Sequence, residues 1–137
     1  MDLERLRIWR DALVRANAIG RPFGLGRWRD FQQTRGTICC PGGDLAMDPV
    51  ARDIGVASDQ DGCPEYLGSS GVDAIFAFLK IEDVSRDERI WVRRVIGAAK
   101  KNALYVPQSG KPLPWAGVTR EMVIGAIEEK IKALETA

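Results

Sequence analysis

Residues 119–135, TREMVIGAIEEKIKALE, carry the clearest structural signal in this chain of 137 residues. Thr119 belongs to the residue types that cap helix N-termini, and apolar residues then recur at spacings of three and four. Glu128 and Lys132 add an i,i+4 pair in the favourable order. The apolar stripe consists of Val123, Ala126 or Ile127, Ile131 and Leu134. The segment therefore predicts an amphipathic helix over about 120–135.

Several segments upstream show the same helical pattern. Asp2 can cap a helix over 2–19, Ser69 or Ser70 can open another, and Ser85 begins a capping box before a helix over about 86–101. Asp48 followed by proline predicts a short helix over about 49–57, with Val50, Ile54 and Val56 turned inward. The expected core consists of Leu6, Leu13, Ile75, Phe76, Leu79, Trp91, Val95, Val123, Ile127 and Ile131. We expect a mainly α fold, one domain over 1–137, with four to five helices.

Two segments without helical periodicity separate these helices. Residues 21–44 mix glycine, arginine and large apolar side chains, and residues 103–117 contain three prolines and two glycines. Loops of this length in a compact domain are usually functional or closely packed, so we expect both to be ordered. A minor two-stranded β element is expected between residues 36–39 and 103–106. Residues 58–68 read as a polar turn region.

Composition excludes several classes of function. The chain is 45% hydrophobic and 28% charged, as in ordinary globular proteins. No apolar run approaches the roughly 20 residues that span a bilayer, and the N-terminus lacks a secretory signal, so we expect a cytoplasmic protein without membrane contact. The chain has no histidine, which excludes Ser-His-Asp and Cys-His catalysis and His-containing zinc sites. Three cysteines, an odd number, fit a reducing compartment.

Charge is distributed unevenly along the chain, although the net charge is only +1. Residues 1–36 hold eight basic and four acidic residues, and residues 91–137 also hold eight basic and four acidic residues. Residues 37–90 between them hold four basic and eleven acidic residues. Two interpretations stay open at this point. The segments can neutralise each other inside the fold, or they can form a basic or acidic face for a nucleic acid or a charged partner.

The segment 35–44 is a candidate thiol or anion site. Cys39 and Cys40 are adjacent, Arg35 is near in sequence, and Gly42 and Gly43 expose backbone amides that can form an anion-binding nest. The segment lacks a C-x-x-C motif, so thioredoxin-like chemistry does not apply. Adjacent cysteines rarely converge on one tetrahedral site, and we expect neither a metal nor a cofactor. A thiol-dependent enzyme is one hypothesis, and buried structural cysteines are the alternative.

Aromatic residues in the two loops suggest a binding protein rather than an enzyme. Trp28 lies between Arg27 and Arg29, and the second loop holds Tyr105 and Trp115. Aromatic and arginine side chains commonly anchor protein interfaces, so we expect a non-enzymatic module that binds a protein partner through these five residues. The alternative is nucleic-acid binding through the basic N-terminal helix and the basic segment 93–101. The sequence predicts no particular oligomeric state.

Four short motifs resemble a pattern found in small phage and bacterial proteins with a domain of unknown function. The pattern is Phe-x-x-x-x-Trp, Cys-Gly-Thr-x-x-Cys-x-x-Gly, a helix with Phe-Leu-x-Ile/Leu-Ser, and a terminal helix introduced by Val-Thr. The matching residues are 23–28, 36–43, 78–81 and 118–121. Arg35 stands where the pattern has its first cysteine, so a joint role of those two cysteines is absent here. The resemblance implies a mainly helical accessory protein and supplies no mechanism.

Overall fold

The computed structural model describes residues 1–24, 29–32, 36–96 and 118–137. Within these residues the fold is predominantly helical, as the periodicity predicts, with two small antiparallel sheets. The helices are α1 Leu3–Ala18, α2 Pro41–Met47, α3 Pro49–Ile54, α4 Val72–Phe78, α5 Arg86–Val95 and α6 Arg120–Glu135. The strands are β1 Arg29–Gln32, β2 Gly36–Cys39, β3 Ala57–Ser58, β4 Pro64–Tyr66 and β5 Ser69–Ser70.

The two long helices begin at capped positions. The Asp2 carboxylate accepts a hydrogen bond from the Arg5 amide at 2.9 Å, and the Thr119 hydroxyl accepts one from the Met122 amide at 3.2 Å. These bonds satisfy amide donors that the first turn of a helix leaves without a partner. Helix α1 packs against α6, α2 and α3. The first helix is therefore the element on which α2, α3 and α6 assemble.

The core lies around α1 and agrees closely with the sequence prediction. All ten predicted core residues are buried except Trp91, which is partly buried and packs against the others. Trp9 is fully buried, meets Trp91 edge to face at a centroid distance of 6.4 Å, and donates its Nε1–H to the Pro41 carbonyl at 2.9 Å. The bond fixes the start of α2 against α1.

The β structure is more extensive than predicted. Residues 36–39 do form a strand, but β2 pairs with β1, with Arg29 opposite Cys39. The two strands are three residues apart in sequence, so this pairing closes a much shorter loop than the predicted one with 103–106. Residues 103–106 lie outside the described part of the chain. The predicted turn region 58–68 instead contributes to a three-stranded sheet in the order β3-β4-β5.

Local predictions around the shorter helices needed correction. Segment 21–44 is not only loop, because it holds β1, β2 and the start of α2. Ser69 and Ser70 pair with β4, so Gly71, at a φ of 64°, precedes α4 instead of a serine cap. Ser85 does precede α5, although its side chain makes no capping hydrogen bond. Val50 is 41% exposed rather than inward.

Candidate functional site

A cleft of about 300 Å³ opens between the end of α1 and the corner that joins α2 to α3. Ala12 and Ala16 of α1 line it and are both buried. The cleft is bordered by Ala18, Ile19, Met47 and Pro49, together with Arg15, Arg21 and Asp48. We call this feature the α1–α3 cleft. Its lining combines an apolar surface with two arginines.

The first arginine of the cleft is held by a buried carboxylate. Arg15 donates Nε to Asp48 Oδ1 at 2.7 Å and Nη2 to Asp48 Oδ2 at 2.9 Å. Asp48 also caps α3, because Oδ2 accepts from the Val50 and Ala51 amides at 3.1 Å. The pair raises the pKa of Arg15 through its hydrogen bond to Asp48. Asp48 thereby fixes both the start of α3 and the position of Arg15.

The second arginine belongs to a buried ionic cluster beneath the cleft. Asp44 of α2 is fully buried and receives hydrogen bonds from Arg120 Nε at 2.8 Å, Arg120 Nη2 at 3.3 Å and Arg21 Nη1 at 3.2 Å. Arg120 also donates to the carbonyls of Arg21 at 2.6 Å and Pro22 at 3.3 Å. Its guanidinium carbon lies 5.1 Å from the centroid of the Phe23 ring. The cluster ties α2 and α6 to the backbone that follows α1.

Burial and ion pairing have opposite effects on the pKa of Asp44. Burial raises the pKa of the Asp44 carboxyl, while the hydrogen bonds and charges of Arg120 and Arg21 oppose that rise. The cluster and the neighbouring pair together contain three guanidinium groups and two carboxylates, Asp44 and Asp48. Both carboxylates are buried. The base of the cleft therefore carries one excess positive charge.

These ion pairs explain much of the uneven charge in the sequence. Arg15 and Arg21 come from the basic first segment, Arg120 from the basic third segment, and Asp44 and Asp48 from the acidic middle segment. The pairing favours neutralisation between segments over a separate charged face. The other three arginines of α1 also have partners within the chain, although none of these is a carboxylate of the middle segment. Arg5 donates to the Tyr66 hydroxyl, and Arg7 and Arg10 pair with Glu135 and Asp11.

The candidate thiol and anion segment is partly described. Cys40 is buried and precedes α2, where its Sγ accepts from the Gly43 amide at 3.4 Å. Gly42 and Gly43 are buried in the first turn of α2. Cys39 ends β2, and Arg35 lies outside the described residues. Cys63 is partly exposed, and burial, with the nearby Asp59 carboxylate, raises the pKa of its thiol.

Only one of the five predicted partner-binding residues, Arg29, lies within the described structure. Arg29 begins β1, opposite Cys39 in the hairpin. The other four candidates lie outside the described residues; they are Arg27, Trp28, Tyr105 and Trp115. In the basic segment 93–101, the Arg93 guanidinium carbon lies 5.5 Å from the centroid of the buried Phe76 ring. Residues 97–101 of that segment also lie outside the described part.

The described ranges contain neither a metal-binding cluster nor a membrane-spanning helix. Residues 1–24, 29–32, 36–96 and 118–137 contain no group of three or more Cys, Asp or Glu side chains arranged to hold a metal ion. Across the same ranges, no helix is both long and apolar enough to cross a bilayer.

A second cavity of about 320 Å³ is lined by Ser69, Asp73, Phe76, Ala77, Ile81, Asp83 and Arg89. Arg89 there donates to Asp83 at 2.7 Å.

Comparison with known proteins provides no functional assignment. No family model matches the chain, and no curated protein or solved structure shows significant similarity to it.

The residues that build the cleft and its ionic base were missed by reasoning from sequence, although one of them carried a signal. Arg120 occupies the first turn of α6, where the helix dipole disfavours a positive charge. Asp44 gave no such signal, because the dipole favours an acid in the first turn of α2. A charge that contradicts its local setting often has a distant partner. Here each of the two residues is the partner of the other.

Proposed function

We propose that this protein is a non-enzymatic interaction module that binds a protein partner at the α1–α3 cleft. The observation that carries the proposal is the exposure of apolar side chains around the cleft. Ile19, which borders it, is 71% exposed, and Val50, directly after Pro49, is 41% exposed. Exposed apolar surface with polar surroundings is typical of protein interaction sites.

The cleft also adjoins the first of the two predicted binding loops. Arg21 belongs to both, and Arg120 holds the carbonyls of Arg21 and Pro22. The predicted binding residues Arg27, Trp28 and Arg29 follow this segment in sequence. A fixed starting point for the segment lowers the entropy lost when it binds a partner.

The described contacts favour this proposal over the two alternatives. The arginines of α1 donate hydrogen bonds within the chain, which leaves a smaller basic surface for phosphates. A thiol enzyme requires an accessible thiolate, and Cys40, one of its two candidate nucleophiles, is buried. A protein-binding cleft needs neither feature.

The experiment compares partner capture by the wild-type chain with capture by two matched variants. Ile19→Glu places a charge at the border of the cleft, and Val84→Glu places the same charge at a site that is 85% exposed in the turn before α5. Each tagged protein is used for affinity capture from a lysate of the cells that express it, with nuclease treatment and quantitative mass spectrometry. We expect a protein that the wild type and Val84→Glu retain and that Ile19→Glu loses.

Two results would contradict the proposal. Equal recovery of all partners by Ile19→Glu and Val84→Glu would show that the cleft is not the binding surface. Loss of every partner on nuclease treatment would transfer support to nucleic-acid binding.

A further inference from the structure

The arginines of the α1–α3 cleft have hydrogen-bond donors beyond those that their carboxylate partners use. Arginine carries five N–H groups. Arg15 directs Nε and one Nη2 hydrogen to Asp48, and its side chain is 44% exposed. Arg21 directs Nη1 to Asp44. Among the residues that the structure describes, the remaining N–H groups of both arginines have no protein acceptor. They are available to an acceptor that enters the cleft.

The charge at the cleft selects the type of acceptor. The carboxylates of Asp44 and Asp48 are 0% and 2% exposed and are covered by their arginines, whereas Arg15 is 44% and Arg21 15% exposed, so an incoming group meets mainly the Arg15 guanidinium. Asp11, whose charge also acts on Arg15, is itself paired with Arg10, so the three guanidinium groups exceed the two carboxylates by one positive charge and the local field favours an anion. A carboxylate also matches the planar geometry of guanidinium and accepts two hydrogen bonds from it.

The size and lining of the cleft select the rest of the ligand. A cavity of about 150 Å³ holds a benzene molecule, so about 300 Å³ accommodates one or two aliphatic side chains. The volume is at the lower end of the range for sites that bind drug-sized ligands. Ala12 and Ala16 provide an apolar floor, and Ile19 and Met47 provide flexible apolar sides. The lining suits a side chain such as Leu, Ile or Met.

We propose that the α1–α3 cleft binds an acidic peptide segment of another protein, with an aliphatic side chain in the cavity and a neighbouring Asp or Glu carboxylate on Arg15 and Arg21. This inference rests on the proposed function and specifies the chemistry of its partner. The aliphatic group supplies apolar burial, and the carboxylate fixes the orientation of the segment.

The test uses an array of N-acetylated, C-amidated nonapeptides. Each carries a central Leu, Ile or Met and flanking Asp or Glu, and a matched array carries Asn and Gln instead. We expect the full chain to bind members of the acidic array and to lose about three- to tenfold in affinity when the acids become amides. Replacing the central aliphatic residue by Ser should weaken binding by about tenfold or more.

Opposite charges at one exposed position test the electrostatic part of the inference. Ile19→Glu and Ile19→Lys remove the same apolar group, so the inference requires the Glu variant to bind the acidic peptides several-fold more weakly than the Lys variant. Val84→Glu should bind as the wild type does. Equal affinity of the acidic and amide arrays, or equal effects of Ile19→Glu and Ile19→Lys, would overturn the inference.

Further outcomes separate this inference from the proposed function. If the acidic array shows no binding while Ile19→Glu still loses a captured protein, the partner chemistry is wrong and the interaction module stands. If no captured protein depends on Ile19, the interaction module itself fails. A dimer in sedimentation velocity that Ile19→Glu dissociates would assign the cleft to a second copy of the chain and overturn the acidic-peptide inference.

Discussion

Replacement of Arg120 by Met should be one of the most destabilising single changes in this protein. Arg120 is 3% exposed and makes two hydrogen bonds to Asp44 and two to backbone carbonyls. Removing one partner of a buried ion pair costs about 3–5 kcal/mol. Arg21 still donates to Asp44 in the variant, so we expect a loss near the lower end of that range, about 3 kcal/mol.

The assay is urea unfolding at neutral pH, followed by far-UV circular dichroism. Arg7→Met provides the matched control, because Arg7 pairs with the exposed Glu135 at 3.0 Å. An exposed pair contributes about 0–1 kcal/mol, so the control should unfold close to the wild type. A loss below about 1 kcal/mol for Arg120→Met would refute the assignment of a stabilising buried cluster.

A double-mutant cycle isolates the contribution of the pair. Asp44→Asn in the Arg120→Met background removes the carboxylate charge that lost its partner, so the double variant should lose less stability than the two single changes added together. We expect a coupling energy of about 2 kcal/mol, and additivity within about 0.5 kcal/mol would contradict the reasoning.

Lowering the pH should reduce the loss of stability in Arg120→Met. Burial raises the pKa of Asp44 above its unfolded value, so the folded chain takes up the proton first. Stability associated with this group therefore rises as pH falls through the folded pKa. Arg120 lowers the pKa of Asp44 in the wild type, so its removal raises that pKa further, and the stability deficit of Arg120→Met should narrow as the pH falls from neutral to mildly acidic. A constant deficit would contradict this explanation.

Three other predictions concern single side chains. Trp9→Phe leaves the buried Pro41 carbonyl without its donor and should cost about 1–3 kcal/mol in urea unfolding, whereas an unchanged midpoint would contradict the importance of that bond. Asp2→Ala should cost about 1 kcal/mol at neutral pH through the lost helix cap. The hydrogen bond from the Arg5 amide lowers the pKa of Asp2, so the stability that the Asp2 carboxylate contributes is present above about pH 4 and is lost on further acidification. The stability deficit of Asp2→Ala should therefore shrink below about pH 4, which urea midpoints measured across pH would show. In a Cys39→Ser/Cys63→Ser variant, the remaining Cys40 should react with iodoacetamide at least about tenfold more slowly in the native chain than in urea, and equal rates would make it an accessible thiol.

Sequence reasoning succeeded where the signal is local and repeated. Helix α6 begins after Thr119 and ends at Glu135, in agreement with the predicted 120–135, because a cap and four turns of periodicity specify it. The prediction that Val50 faces inward was wrong, because α3 has fewer than two turns. The orientation of so short a helix depends on the hydrogen bonds by which Arg15 holds Asp48. Short elements take their orientation from tertiary contacts that periodicity does not contain.

The candidate site depends almost entirely on such contacts. Ala12 and Ala16 read as ordinary small residues of an amphipathic helix, and they line a cleft only because Met47 and Pro49 lie beside them. Asp44 and Arg120 are 76 residues apart, and no spacing rule joins them. Reading the charge at the start of α6 as an anomaly would have identified Arg120, but not its partner.

The distance between Asp44 and Arg120 along the chain also affects how the protein is made on the ribosome. Synthesis proceeds at roughly 5–20 residues per second, so Asp44 emerges at least about 4 s before the arginine, 76 residues later, that will cover it. During that interval Arg21, which is synthesised before Asp44, supplies only one of the three hydrogen bonds that the carboxylate receives in the complete fold. The packing of α1 on α2 should therefore be completed only when α6 arrives, and a nascent chain halted between the two residues should be a ready substrate for chaperones and proteases.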